Sequence, residues 1–143
     1  LQSAIVLISF IPMLMSTGGN AGSQASTLIT RGIALEEIEL SDIWEIFWKE
    51  LRVSVLIGIV LSVVNFLIIY HLSDIDYKVS LAISLSLFIT IIIAKVVGST
   101  LPIVAKGFKL DPAIIASPLI TTIIDACALI VFFLVSTHYL HLA

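Results

Sequence analysis

Charge is what this chain has least of. Only 12% of its 143 residues are Asp, Glu, Lys or Arg, about half the share in a soluble domain, while 59% are hydrophobic. That balance excludes a water-soluble globule and points to one domain packed in lipid. The formal net charge of −3 leaves no basic surface for nucleic acid. Cysteine is nearly missing: Cys127 stands alone inside the last apolar run, so no internal disulfide forms and no compartment is signalled. There is no G-x-x-x-x-G-K-S/T nucleotide loop, no C-x-x-C pair and no serine-hydrolase elbow, and nothing argues for an enzyme. His138 and His141 form an H-x-x-H pair without a third ligand nearby and read as interfacial. Leu1–Met15 lacks a positively charged leader and does not read as a signal peptide. The chain opens inside an apolar run without an initiator Met, and it is expected to be a piece of a longer protein, cut just before a membrane helix.

Long uncharged runs are what the sequence does have. They predict an all-α, polytopic membrane helix bundle in which residues 1–143 form a single transmembrane pore domain with four spans. The first helix covers residues 1–31. Leu1–Met15 alone is too short to span, so the helix is expected to run on through the small, polar, uncharged stretch Ser16–Thr27. Residues 34–51 read as an interfacial amphipathic segment, with Asp42 as N-cap, Ile43, Phe47 and Leu51 at spacing four, and Trp44 and Trp48 at headgroup depth. Its acidic residues, Glu50 among them, are dispersed. Further spans are expected at 52–72, 79–105 and 112–137, the last opened by Asp111 as N-cap and Pro112 at the first helical position. Arg31, Lys49, Arg52, Lys106 and Lys109 lie in the first and third connections, and only Lys78 lies in the second. The positive-inside rule therefore puts both basic connections in the cytoplasm and both termini outside, in the plasma (inner) membrane of the cell. A cytoplasmic N-terminus of a full-length protein then requires an odd number of spans before Leu1.

One carboxylate interrupts the last run. Asp125 sits near the middle of Pro112–Thr137, which is long enough to cross a hydrocarbon core of roughly 30 Å. At that depth a carboxylate costs at least about 2.5–3.5 kcal/mol, so its default reading is functional. Thr121 and Ser117, one and two turns earlier, share its helical stripe. A row of oxygens ending in a carboxylate suits a cation or a proton. Two structural readings stand beside this one. Asp125 can be protonated glue between helices, or it can pair with Lys95, the other ionisable group at depth. Lys95 itself reads as structural or snorkelling. Pro12, Pro102 and Pro118 each remove a backbone donor within a span, which either frees a carbonyl toward a cavity or makes a healed kink.

Pro12, then Gly18-Gly19-Asn20-Ala21-Gly22-Ser23-Gln24-Ala25 and Arg31, resembles the proline, Gly-Gly-Asn-x-Gly-x-Gln and arginine signature of the MgtE-type magnesium channels. Gly98-Ser99-Thr100-Leu101-Pro102 is similar to the family's fourth-helix motif. Leu110-Asp111-Pro112-Ala113, with Pro118 and Asp125 following, resembles its fifth helix. The resemblance covers nearly the whole chain, and it implies helices 2–5 of a five-helix domain whose cytosolic regulatory domains lie outside this chain. It implies a homodimeric channel in membrane lipid, with Asp125 of each subunit facing a hydrated Mg²⁺. Asp111 resembles an acidic residue at the cytoplasmic mouth where regulatory magnesium binds. Ser117 stands where the family often has Asn, and Thr121 where the family residue is commonly small. The physics of Mg²⁺ agrees: it dehydrates reluctantly, so a path for it needs few charges and several acceptors, and Ser117, Thr121 and Asn20 can take hydrogen bonds from its waters. The expected metal-handling set is thus Asp125, Thr121, Ser117, Asn20 and Asp111. The alternatives are an ion- or proton-coupled divalent-cation carrier, or a non-transporting assembly domain with Asp125 paired to Lys95.

Overall fold

The computed structural model describes residues 2–72, 75–112 and 118–140. In chain order these form α1 (Gln2–Ser9), α2 (Ile11–Ala34), a short 3-10 turn (Leu40–Asp42), α3 (Ile43–Leu72), α4 (Tyr77–Gly107) and α5 (Pro118–Leu140). No strand occurs among the described residues. Among the described residues, four stretches are long and apolar enough to cross a membrane: Ile5–Ala34, Leu40–His71, Tyr77–Gly107 and Pro118–Leu140. The protein is a multi-pass, all-α membrane bundle.

The first span is broken once, at Phe10 between α1 and α2. Pro12 explains the break, because it has no N–H to offer the carbonyl one turn back. The Leu14 N–H takes up the Phe10 carbonyl at 3.1 Å and restarts the ladder. Beyond it the small polar stretch is helical to Ala34. Gly18, Gly19, Gly22, Ala25 and Ser26 of this stretch are all buried, so the residues that look like a loop in sequence are the packing face of a helix. Hydroxyls left over bond within the helix, as Thr27 Oγ1 donates to the Ser23 carbonyl at 2.8 Å.

From Ile43 onward the amphipathic segment expected over residues 34–51 leads into the second span without a break. Ile43–Leu72 is continuous. Nothing between Trp44 and Ser54 is Gly or Pro, so nothing stops the ladder. Asp42 caps the preceding 3-10 turn instead of a separate helix: its Oδ2 accepts the Glu39 N–H at 2.8 Å. Trp44 and Trp48 remain exposed on the outer face of the first turns.

α4 is the hub, packing against α2, α3 and α5, while α2 also packs on α5. It is buried along its length, whereas α3 turns Leu56, Val60, Val63 and Leu67 outward, as a lipid-facing helix does. Asn65, the one amide of α3, donates to Ser84 Oγ of α4 at 3.3 Å. At the crossing of α2 and α4 the two backbones touch. A Cβ added to Gly98 meets the Gly22 carbonyl oxygen at 2.2 Å, and one added to Gly22 meets the Ala94 carbonyl at 3.0 Å. Below the crossing, Lys106 Nζ donates to the Ile38 carbonyl at 2.9 Å and ties the α2–α3 connection to the end of α4.

Candidate functional site at the seam of α2 and α5

Every fourth residue of α5 from Ile120 to Phe132 faces the bundle: Ile120, Ile124, Ala128 and Phe132 are buried. Thr121 and Asp125 lie one position round the helix, so both end up half-buried at its border. What they border is decided by α2. A Cβ on Gly18 meets Thr90 and Ile124, at 2.8 and 3.1 Å, so Gly18 faces the core. A Cβ on Gly19 meets Thr121 Cγ2 at 3.8 Å and Asp125 Oδ1 at 3.9 Å. Gly19 therefore faces the seam where the carboxylate and its threonine lie, with room for a Cβ at ordinary contact distance. The sequence signals a glycine pair; only the packing assigns one glycine to the core and the other to the carboxylate.

Asp125 forms no hydrogen bond or ion pair with another described residue. Thr121 donates its hydroxyl to the Pro118 carbonyl at 3.0 Å, and Thr122 donates to the same carbonyl at 2.8 Å. The Thr121 proton is thereby engaged inside the helix. The next residue of the α2 motif, Asn20, is exposed and lines an outer groove with Ser23, Gln24, Thr27 and Leu28. Ser16, Asn20, Gln24 and Thr27 are all exposed and recur at spacings of four, four and three, which makes one polar stripe along α2. Acyl chains are a poor neighbour for amides and hydroxyls, so this stripe calls for water or another protein surface.

The other expected residues stand apart or are not described. Ser117 lies outside the described residues. Asp111 is exposed, after the turn that closes α4. The pairing of Lys95 with Asp125 is not what the structure has: Lys95 Nζ lies 3.3 Å from Glu50 Oε2. Glu50 is carried into the bundle because α3 runs unbroken from Ile43, and a reading that ended the charged segment at residue 51 could not place it at depth. Among the described residues no group of three His, Cys, Asp or Glu is arranged to hold a metal.

Residues 11–135 match the MgtE family, described as a divalent cation transporter. The chain is 33% identical over 141 residues to the magnesium transporter MgtE of Bacillus subtilis, which covers 99% of this chain and 31% of that protein. It is 32% identical over 133 residues to the magnesium transporter MgtE of Thermus thermophilus, 92% of this chain and 29% of the relative. To the magnesium transporter MgtE of Enterococcus faecalis it is 23% identical over 139 residues, 97% of this chain and 30% of the relative. The chain thus spans about a third of the length of these curated relatives. With most of its length matched and the Gly-Gly-Asn and Asp125 elements packed together, the chain belongs to the MgtE family of divalent cation transporters.

Proposed function

We propose that this chain is the membrane pore part of a magnesium transporter, a homodimeric channel in which Asp125 of each subunit faces a hydrated Mg²⁺. The observation that carries the reading is a half-buried carboxylate at span depth with no described protein partner, lying beside Gly19. Such a charge is expensive in lipid unless water or a cation attends it. The exposed polar stripe of α2 supports a dimer, because a second copy related by a two-fold axis can shelter it from lipid and leave an aqueous path between the two seams. Mg²⁺ keeps its waters, Asp125 supplies the matching charge, and Thr121, Asn20 and Ser117 accept from those waters. Asp111, beyond the end of α4, belongs at the mouth, where regulatory magnesium and the cytosolic domains of the longer protein meet the bundle.

Downhill Mg²⁺ flux through the reconstituted protein tests the reading. Flux without a pH gradient fits a channel, and a strict requirement for a proton gradient fits a coupled carrier instead. Thr121→Val keeps the methyl that meets Gly19 and removes one neutral acceptor. A neutral hydrogen bond contributes about 0.5–1.5 kcal/mol, so flux is expected to fall by roughly two- to tenfold with no loss of folded protein. Wild-type flux in this variant removes Thr121 from the path.

A further inference from the structure

A groove of about 380 Å³ runs between α3 and α4 and shares no residue with the Asp125 seam. Ile59 and Val63 of α3, both exposed, form one rim, and Leu81 and Leu85 of α4 form the other. Two small residues, Ser62 and Ser84, lie between the rims, so the packed helices leave a trough there. Ser84 Oγ is taken by the Asn65 amide at 3.3 Å, and the rest of the lining is aliphatic or aromatic. Phe88 closes one end by lying on Gly58, where an added Cβ would stand 2.9 Å from its ring. Phe66, Tyr70 and Tyr77 gather at the other end. Phe66 stacks on Tyr70 at 5.7 Å between ring centroids, and Tyr77 meets both rings edge-on at 5.6 and 6.1 Å. From Ile59 to Phe66 the groove follows α3 for roughly 10 Å, about a third of a hydrocarbon core. Lipid is the neighbour of this face, since Leu56, Val60 and Leu67 of α3 point outward beside it.

Beyond the three rings the chemistry changes. Tyr77 also lines a polar pocket of about 540 Å³ with Tyr70, His71, Ile75 and Asp76. These residues stand at the end of one span and the start of the next, which is headgroup depth, and both tyrosines are exposed there. An apolar trough that opens at the membrane surface into a polar pocket suits a phospholipid, with an acyl chain in the trough and the headgroup beyond the tyrosines. We propose that the α3–α4 groove is a phospholipid site selective for a headgroup that bears an ammonium. Charge makes the selection. Among the described residues lining the pocket, Asp76 is the one acid, and there is no Lys or Arg. Asp76 Oδ2 accepts the Lys78 N–H at 3.0 Å as the cap of α4, and a carboxylate has acceptor capacity beyond that one bond. The ammonium goes to Asp76, and the phosphate takes donors from the tyrosine hydroxyls and His71. A lipid so placed ties the end of α3 to the start of α4, across the same gap that Phe66 and Tyr77 bridge.

Native mass spectrometry of the purified protein, incubated in detergent with equal amounts of phosphatidylethanolamine and phosphatidylglycerol, tests this. Wild type is expected to retain one phosphatidylethanolamine per chain, about tenfold or more over phosphatidylglycerol. Val63→Trp enlarges an exposed rim residue and fills the trough, so the retained lipid is expected to fall about tenfold or more. Ser62→Leu fills the trough from between the rims and is expected to do the same, which keeps this arm open should Val63→Trp not fold. Asp76→Asn keeps a good N-cap, so α4 survives; it is expected to retain a lipid but to lose the preference between the two headgroups. Wild type that holds neither lipid, or holds both equally, overturns the proposal. So does lipid retained at the wild-type level in Val63→Trp and Ser62→Leu alike, or a preference unchanged in Asp76→Asn. A second copy seated in the groove also overturns it, and shows as a lipid-free wild-type dimer that Val63→Trp dissociates. The Asp125 seam is intact in every variant, so the result is separable from that of the pore reading.

Discussion

Asp125→Ala is expected to bring magnesium flux close to that of protein-free liposomes while leaving a folded protein. The side chain makes no described hydrogen bond or ion pair, so its removal strands no partner. It also leaves the neighbouring core residues Ile124 and Ala128 in place. Stability is therefore set to change little, or to rise, since a carboxylate at depth is a liability to a membrane helix. The loss falls on the ion. Each hydrogen bond from a cation-bound water to a carboxylate contributes about 1.5–3 kcal/mol, which is roughly ten- to a hundredfold in occupancy. In the proposed dimer, two symmetry-related copies compound it. Flux and melting temperature measured on the same preparation separate the outcomes. Flux preserved in a folded Asp125→Ala protein removes the carboxylate from the path.

The second large effect is structural and sits at the α2–α4 crossing. Gly98→Ala forces a methyl to 2.2 Å from the Gly22 carbonyl oxygen and 2.8 Å from Gly22 Cα, all of it backbone that cannot rotate away. The helices must separate, and with them the registry that sets Gly18 on the core and Gly19 on Asp125. Overpacking of this kind typically costs about 1–3 kcal/mol or more. Gly19→Ala is the paired control. Its methyl meets Thr121 and Asp125 at 3.8 and 3.9 Å, which is ordinary contact, so folding is expected to survive. Thermal unfolding in detergent is expected to place Gly98→Ala well below wild type and Gly19→Ala near it. Equal melting of both variants contradicts the close crossing.

These two sites show what the sequence made legible. The four spans follow from runs of uncharged apolar residues, and the depth of Asp125 follows from counting along one of them. The helical course of Ser16–Thr27 was also readable, because fifteen apolar residues cannot cross a bilayer without it. The partner of Lys95 was not readable. Charged residues near the start of a helix read as interfacial, and only the unbroken course of α3 brings Glu50 to Lys95. Nor could the sequence divide the work between Gly18 and Gly19. They differ by about 100° around one helix, and which neighbour each meets depends on how α4 and α5 are placed. Ion pairs and close crossings between helices are non-local, and periodicity within a single helix carries no record of them.

The central claim is that a hydrated divalent ion visits the Asp125 carboxylate beside Gly19. Anomalous diffraction from the protein soaked with Mn²⁺ measures this directly. A metal–water distance of about 2 Å and a hydrogen bond of about 2.7 Å put an ion held through its water roughly 4–5 Å from the carboxylate. The expected result is a peak at that distance from Asp125, within reach of Thr121, that disappears in Asp125→Asn. A transport-competent protein whose bound metal lies elsewhere, with Asp125 packed against lipid, contradicts the claim.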